Sequence, residues 1–199
     1  MKILLTCFKP FHNDTLNSSL ELLNHLDDKY KDHEIKKLVL DVIYEEDGNK
    51  VIEEIIKYQP NIVLSLGQAK GRSKVTLEVF AVNARHSKIA DNKETYHFYD
   101  LISTCPAYAT KLNVKKIKNN IREEFFDLSF HAGTFVCNDV YYKVLKYLED
   151  ENLNILYGFI HLPCIKEQVT NEPYMELPDM KNIIYQMIDI IMEDVNGEV

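Results

Sequence analysis

Short apolar runs alternate along the chain with longer segments in which apolar residues return every three or four positions. The runs at 2–7, 37–42, 61–66, 75–83, 126–130 and 155–161 are mostly rich in Val, Ile, Leu or Phe and read as strands. The segments with helical period fall at 18–26, 49–58, 114–125, 133–148 and 179–194. Ser18 with Glu21 suggests a capping box at the first of these helices, and Pro60 ends the second. This order predicts an α/β fold over 1–199: one domain, a three-layer α/β/α sandwich around a mostly parallel, twisted mixed sheet. In such sheets ligands gather beyond the carboxyl ends of the strands. Three unusual segments are expected there, Gly67 to Arg72, His131-Ala132-Gly133 and His161-Leu162-Pro163, and the irregular stretch 84–108 is long enough to cover a site.

Charge and cysteine use narrow the function. A net charge of -8 and a pI near 5.4 argue against a nucleic acid or an anionic membrane as partner, since both reward clustered Lys and Arg. The one basic run, Lys115-Lys116-Ile117-Lys118, reads as a solvated helix face. The apolar start at Ile3-Leu4-Leu5 is too short for a signal-peptide core, and no stretch approaches the roughly 18 apolar residues that span a bilayer, so a soluble cytoplasmic protein is expected. Its four cysteines are then reduced thiols, and none of them has the spacing of a zinc finger.

Three residues carry the candidate chemistry. Cys137 falls near the start of the helix expected after strand 126–130, where the positive helix end favours a thiolate. A cysteine there serves equally well as a small buried apolar residue. His161 ends an apolar strand at the rim of the sheet, where it can act as a base near neutral pH, with His12 and His131 as competitors. Glu78 lies inside an apolar strand, where a carboxylate is costly unless paired; it is either a surface residue of an edge strand or the group that holds an imidazole. The glycines of Gly67 to Arg72 match neither a P-loop nor a dinucleotide fingerprint.

The motifs themselves are more specific. Leu5-Thr6-Cys7-Phe8-Lys9-Pro10-Phe11, Leu66-Gly67-Gln68-Ala69-Lys70-Gly71-Arg72 leading to Glu78 and Ala81-Val82-Asn83, Ile89-Ala90-Asp91-Asn92, Pro106-Ala107-Tyr108, Ala132-Gly133-Thr134-Phe135-Val136-Cys137-Asn138 and Gly158-Phe159-Ile160-His161-Leu162-Pro163 together resemble pyroglutamyl peptidase I. This is the pyrrolidone-carboxylate peptidase family of cytosolic cysteine peptidases, and the resemblance extends over nearly the whole chain.

The resemblance implies a cysteine exopeptidase, an omega peptidase, that hydrolyses the amide bond after an N-terminal pyroglutamyl residue. Cys137 would be the nucleophile, His161 the general base and Glu78 the acidic third member, working through a thioester with no metal or cofactor. Phe8, Phe11 and Gln68 would form the lactam pocket, with Ile89, Phe135 and Val136 as further lining and Asn17 near its mouth. Substrates would be pyroglutamylated peptides, and the family's habit of forming dimers or tetramers implies self-association. The chain departs from the pattern at Cys7 and His12-Asn13, where glycines are usual. It departs again at Lys70, where a small residue or proline is usual, at Val79, where a basic residue is usual, and at Lys88 and Ala90, where Arg and Pro are usual. Lys lacks the planar fork of Arg. The alternative reading is therefore a catalytically weak homologue, or one of altered specificity that binds or cleaves a different cyclic or blocked N-terminal group.

Overall fold

Side chains alternate across a strand, so a strand flanked by helices on both faces must be apolar at every position. The computed structural model describes residues 1–197, and its central strands are buried and mostly apolar, the buried Thr6 and Ser65 hydroxyls being bonded to each other. The elements run β1 (Lys2–Phe8), α1 (Ser18–His25), β2 (Lys29–Tyr30), β3 (His33–Leu40), α2 (Glu46–Tyr58), β4 (Ile62–Gln68), β5 (Val75–Glu78), β6 (Phe80–Val82), β7 (Ala107–Ala109), α3 (Val114–Asn120), β8 (Phe126–Ser129), α4 (Val136–Asp150), β9 (Leu156–Leu162), a single 3-10 turn (Lys166–Gln168) and α5 (Leu177–Asn196). The main sheet has the order β2-β3-β1-β4-β9-β5-β8. Strands β3, β1, β4 and β9 are parallel, whereas β5 and β8 run together against β9. Ile3, Leu5, Leu64, Leu66, Ile160 and Leu162 pack with α1, α3 and α5 in one core, and Leu4, Phe8, Val63, Tyr157 and Phe159 pack with α2 and α4 in the other. The expected three-layer α/β arrangement with a mostly parallel mixed sheet is what the chain forms. Among the described residues no helix is long and apolar enough to cross a membrane.

Several boundaries differ from the sequence expectation, each for a local reason. The run 75–83 is two strands, because β5 pairs with β8 and β9 as far as Glu78 and the chain then leaves to pair β6 with β7 in a separate two-stranded sheet. The expected capping box is absent. Asn17 is the N-cap of α1, its side chain accepting from the Ser19 N–H, and Ser18 is already helical. Helix α2 begins three residues earlier than position 49, at Glu46, where the buried Asp47 carboxylate accepts the Asp41 and Ile43 N–H groups and folds the preceding turn. Helix α3 stops at Asn120, and the chain turns through Arg122 into β8. Helix α4 begins at Val136, because Gly133 has φ +78 and the Thr134 hydroxyl donates to the His86 carbonyl instead of continuing a helix. The segment His131-Ala132-Gly133 follows β8, so it does not leave from a carboxyl end of the parallel set as expected. In the basic run, Lys116 pairs with Asp194 at 3.0 Å and Lys118 with Asp127 at 2.8 Å.

The long segment 84–108 is tied down despite having little regular structure. Arg85 Nε donates to Asp139 Oδ1 at 2.6 Å and its Nη1 to Glu45 Oε1 at 2.7 Å, joining the starts of α2 and α4. The buried Asn138 side chain takes the Val82 N–H at 2.9 Å and donates to the carbonyls of Val82 and Ala84 at 2.8 and 3.0 Å. Asn138→Ala removes all three bonds and leaves the Val82 N–H and the Ala84 carbonyl without their side-chain partner, so a loss of about 1–3 kcal/mol in unfolding free energy is expected in urea denaturation, and an unchanged midpoint would contradict this anchoring role.

Candidate active site

Glu78 sits near the end of β5 with no exposed surface, and His161, one residue from the end of β9, is 5% exposed. Antiparallel pairing of these strands sets Glu78 opposite Phe159 and Thr76 opposite His161, so Glu78 and His161 are diagonal neighbours on one face. His161 Nδ1 lies 2.7 Å from Glu78 Oε1 and donates to it, which leaves Nε2 as the nitrogen free to take a proton. The same Oε1 receives Arg72 Nη1 at 2.7 Å. Burial opposes the Glu78 charge, but the hydrogen bond and charge of His161, with Ser129 and Arg72, outweigh it and hold the carboxyl below its ordinary range. Burial likewise holds the His161 imidazole below its usual value, against the upward pull of Glu78. The ring is therefore neutral at pH 7.

Cys137 is the second residue of α4, half-buried, and lines the same cavity as His161. Its position at a helix start predicts an acidic thiol, yet burial, reinforced by the Glu78 charge, pushes the thiol up to about 12. Desolvation wins over the helix end. Burial thus favours the neutral form of both the thiol and the imidazole that line this cavity.

The cavity holds about 130 Å³ and is lined by Phe8, Phe11, Asn17, Val42, Gln68, Ala132, Phe135, Cys137 and His161. Phe8, Phe11, Asn17, Gln68 and Phe135 are thus brought together with Cys137 and His161. Ile89 is not on this wall, and Val136 points into the core with full burial, so neither lines the cavity. Ala132 reaches the wall from the segment His131-Ala132-Gly133 that the sequence placed near a ligand, whereas Val42 is a wall residue that sequence reasoning did not single out. Val42 has φ 62, a left-handed backbone that a β-branched residue rarely adopts. It is clamped there by the segment after Ala90. Asn92 N–H donates to the Val42 carbonyl at 3.0 Å, the Asn92 amide to the Pro10 and Asp41 carbonyls, and Asp91 accepts the Tyr44 N–H at 3.1 Å.

Gln68 is oriented by its neighbours. The Ser18 N–H can only donate, so the atom 2.8 Å from it is Oε1, which also accepts Gln168 Nε2 at 2.6 Å, while Nε2 of Gln68 faces Asp14 at 3.2 Å. Asn17, besides capping α1, donates to the Lys9 carbonyl and so ties the turn that carries Phe8 and Phe11. Of the unusual residues, Lys70 is on the surface 3.5 Å from Glu172, and Lys88 is exposed and off the cavity wall. Arg72 is the polar residue at the site that sequence reasoning passed over; its signal was its place at the end of the Gly67 to Arg72 motif. The competing histidines are elsewhere. His12 is exposed with its ring near Asn13, and the exposed His131 accepts the Gly133 N–H.

A family model described as Pyroglutamyl peptidase matches residues 1–194. A pyrrolidone-carboxylate peptidase of a Thermoanaerobacter species is 39% identical over 198 residues, covering 96% of this chain and 98% of that protein. Pyrrolidone-carboxylate peptidase 1 of Caldanaerobacter subterraneus is 38% identical, covering 97% and 98%. Among solved structures, pyroglutamyl peptidase I from Bacillus amyloliquefaciens superposes with a TM-score of 0.90 at 31% identity, covering 96% of this chain and 94% of its own. Pyrrolidone carboxyl peptidase from Thermococcus litoralis superposes with a TM-score of 0.93 at 27% identity, covering 100% and 96%.

Two outcomes follow from this geometry. With the thiol raised and the imidazole lowered, alkylation of Cys137 by iodoacetamide should keep accelerating as the pH rises past about 9; a plateau already reached near pH 6 would reveal a preformed thiolate–imidazolium pair. A Cβ on Gly67 would lie 2.9 Å from the Phe159 ring and 3.1 Å from His161 Cδ2. Gly67→Ala is therefore expected to cut turnover about tenfold or more by displacing the imidazole, with the fold retained by circular dichroism.

Proposed function

Because this chain belongs to the pyroglutamyl peptidase family, cysteine peptidases that remove N-terminal pyroglutamate, we propose that it does so with Cys137 as nucleophile, His161 as base and Glu78 as the carboxylate that orients His161. The observation that carries this reading is the 2.7 Å hydrogen bond between buried Glu78 and His161 at a cavity that Cys137 also lines. His161 Nε2 takes the thiol proton as Sγ attacks the pyroglutamyl carbonyl, and returns it to the departing amine. The thioester left on Cys137 is then hydrolysed by a water that His161 deprotonates. Proton transfer within the reaction explains how a thiol raised by burial can serve as nucleophile, since no standing thiolate is needed.

The tetrahedral oxyanion is met by backbone N–H groups at the start of α4. Asn138 and Asp139 N–H already donate to the Phe135 carbonyl, so Val136 and Cys137 supply the amides. Each well-placed donor of this kind contributes about 3 kcal/mol to transition-state stabilisation. Phe8, Phe11, Val42 and Phe135 give the lactam ring apolar walls. Gln68, its oxygen already engaged, can only donate and therefore suits the lactam C=O. An ordinary N-terminal ammonium would be desolvated there without a partner, so selectivity is largely exclusion. The four free cysteines fit a reducing cytoplasm, and the exposed Phe98, Tyr99 and Leu101 offer apolar surface for self-association into dimers or tetramers.

A second reading, a homologue of weak or altered activity, is favoured by the exposed Lys88, which stands where the family has Arg. A fluorogenic pyroglutamyl substrate and a panel of other blocked N-termini separate the two. Cleavage of the pyroglutamyl substrate is expected, with Cys137→Ala and His161→Ala each lowering kcat roughly a thousandfold or more while Glu78→Gln leaves a measurable residue. Undiminished turnover in either of the first two variants would remove that residue from its role.

A further inference from the structure

The Glu78 carboxylate has a second partner whose placement goes beyond an oriented imidazole. Oε1 carries both His161 Nδ1 and Arg72 Nη1, each at 2.7 Å, while Oε2 is buried without a hydrogen-bond partner. Among the described residues Arg72 is the one Lys or Arg within ion-pair distance of Glu78. It arrives from the loop after β4, and three groups hold its guanidinium. Nη1 also reaches the Thr76 hydroxyl, and Nη2 lies 3.3 Å from Ser129 Oγ on β8. Its other side faces a surface cavity of about 470 Å³ lined by Gly71, Ser73, Lys74, Thr76, Asp127 and Ser129. From these contacts we propose that Arg72 is a positioning residue for the reaction: it fixes the Glu78 carboxylate against His161 and offsets enough of its charge to keep the imidazole a proton acceptor. This rests on the reading of Cys137, His161 and Glu78 as the catalytic set.

The physical argument is a balance of charges. An isolated buried carboxylate at 2.7 Å would strongly favour the imidazolium, leaving a histidine that holds its proton when it should accept one. A cation on the same oxygen reduces that pull and at the same time keeps the carboxylate ionised. The charged or titratable groups gathered on His161 are Glu78 from β5, Arg72 from the loop and Cys137 from α4. Neighbouring β4 contributes only Gly67 and Gln68, and Asp127 of β8 is paired with Lys118. Of these, Arg72 and Glu78 act on the imidazole in opposite directions. Only a planar fork reaches Glu78, Thr76 and Ser129 together, so Lys would supply the charge without the geometry.

The test compares wild type, Arg72→Gln and Arg72→Lys by NMR titration of the His161 ring, assigned against His161→Ala, alongside the pH profile of kcat/KM. For Arg72→Gln the His161 midpoint and the acid limb of kcat/KM should both move up by about half to one pH unit, with kcat falling more than KM changes. Arg72→Lys should return the midpoint close to wild type while kcat stays severalfold low. A residue that only held the loop together would lower stability and leave the titration where it was, so an unmoved midpoint in Arg72→Gln overturns the proposal. If Arg72→Gln fails to fold, Arg72→Lys decides it, because wild-type kcat in that variant is incompatible with a required fork. A wild-type protein that cleaves no pyroglutamyl substrate would sink the peptidase reading, and the ring titration would still decide the role of Arg72.

Discussion

Burying a carboxylate inside an apolar sheet costs several kcal/mol unless hydrogen-bond partners are held against it, and Glu78 imposes that condition on the strands around it. The condition is met by running β5 against β9, which puts His161 diagonally across from Glu78, and by looping the chain after β4 so that Arg72 reaches the same oxygen. The backbone beneath is held by the same face of the sheet. Tyr141 of α4 donates to the Glu78 carbonyl at 2.9 Å, its ring meets Tyr157 edge-on, and the Tyr157 hydroxyl joins Ser65 and Thr6 in a buried hydroxyl chain. Helix α4, which carries Cys137, is thereby registered to the strand that carries Glu78.

The same burial sets the resting chemistry. An exposed cysteine at a helix start would ionise readily, but here the cavity that excludes water also excludes the thiolate. On the proposed mechanism the thiol waits in an unreactive form until His161 takes its proton with a carbonyl in place. A closed pocket can in this way keep a thiol on hand without leaving it open to adventitious oxidants.

Much of the fold was legible because its central strands are buried on both faces and its helices on one, so period and composition both point the same way. The run 75–83 reads as one strand because Val79 and the residues after it are as apolar as those before; the change of sheet falls at Val79, whose N–H still bonds the Ser129 carbonyl beside β8 while its own carbonyl accepts the Thr110 N–H just past β7, long-range bonds with no local signature. Glu78 and His161 were legible as polar residues out of place in apolar strands, and Cys137 by its place at a helix start. Arg72 was not, since an arginine in a loop looks solvated until the fold brings a buried carboxylate to it. Nor was Val42, which reads as the end of a strand and becomes a wall only through an unusual backbone. Ile89 reads as a lining residue from its motif; in the fold it is Asp91 and Asn92 of that motif that act on the cavity, by holding the Val42 wall in place.

Val42 shows where the pocket keeps its shape. A β-branched residue with positive φ costs roughly 1–3 kcal/mol, and here three hydrogen-bonded contacts from a distant loop enforce it. Glycine would be at ease in that conformation, yet it would remove the side chain that closes the cavity. Val42 is also buried and packed in the core under α2 and α4, so relaxing that backbone by substitution would exchange strain for lost packing, and the wall of the cavity is kept by the fold itself.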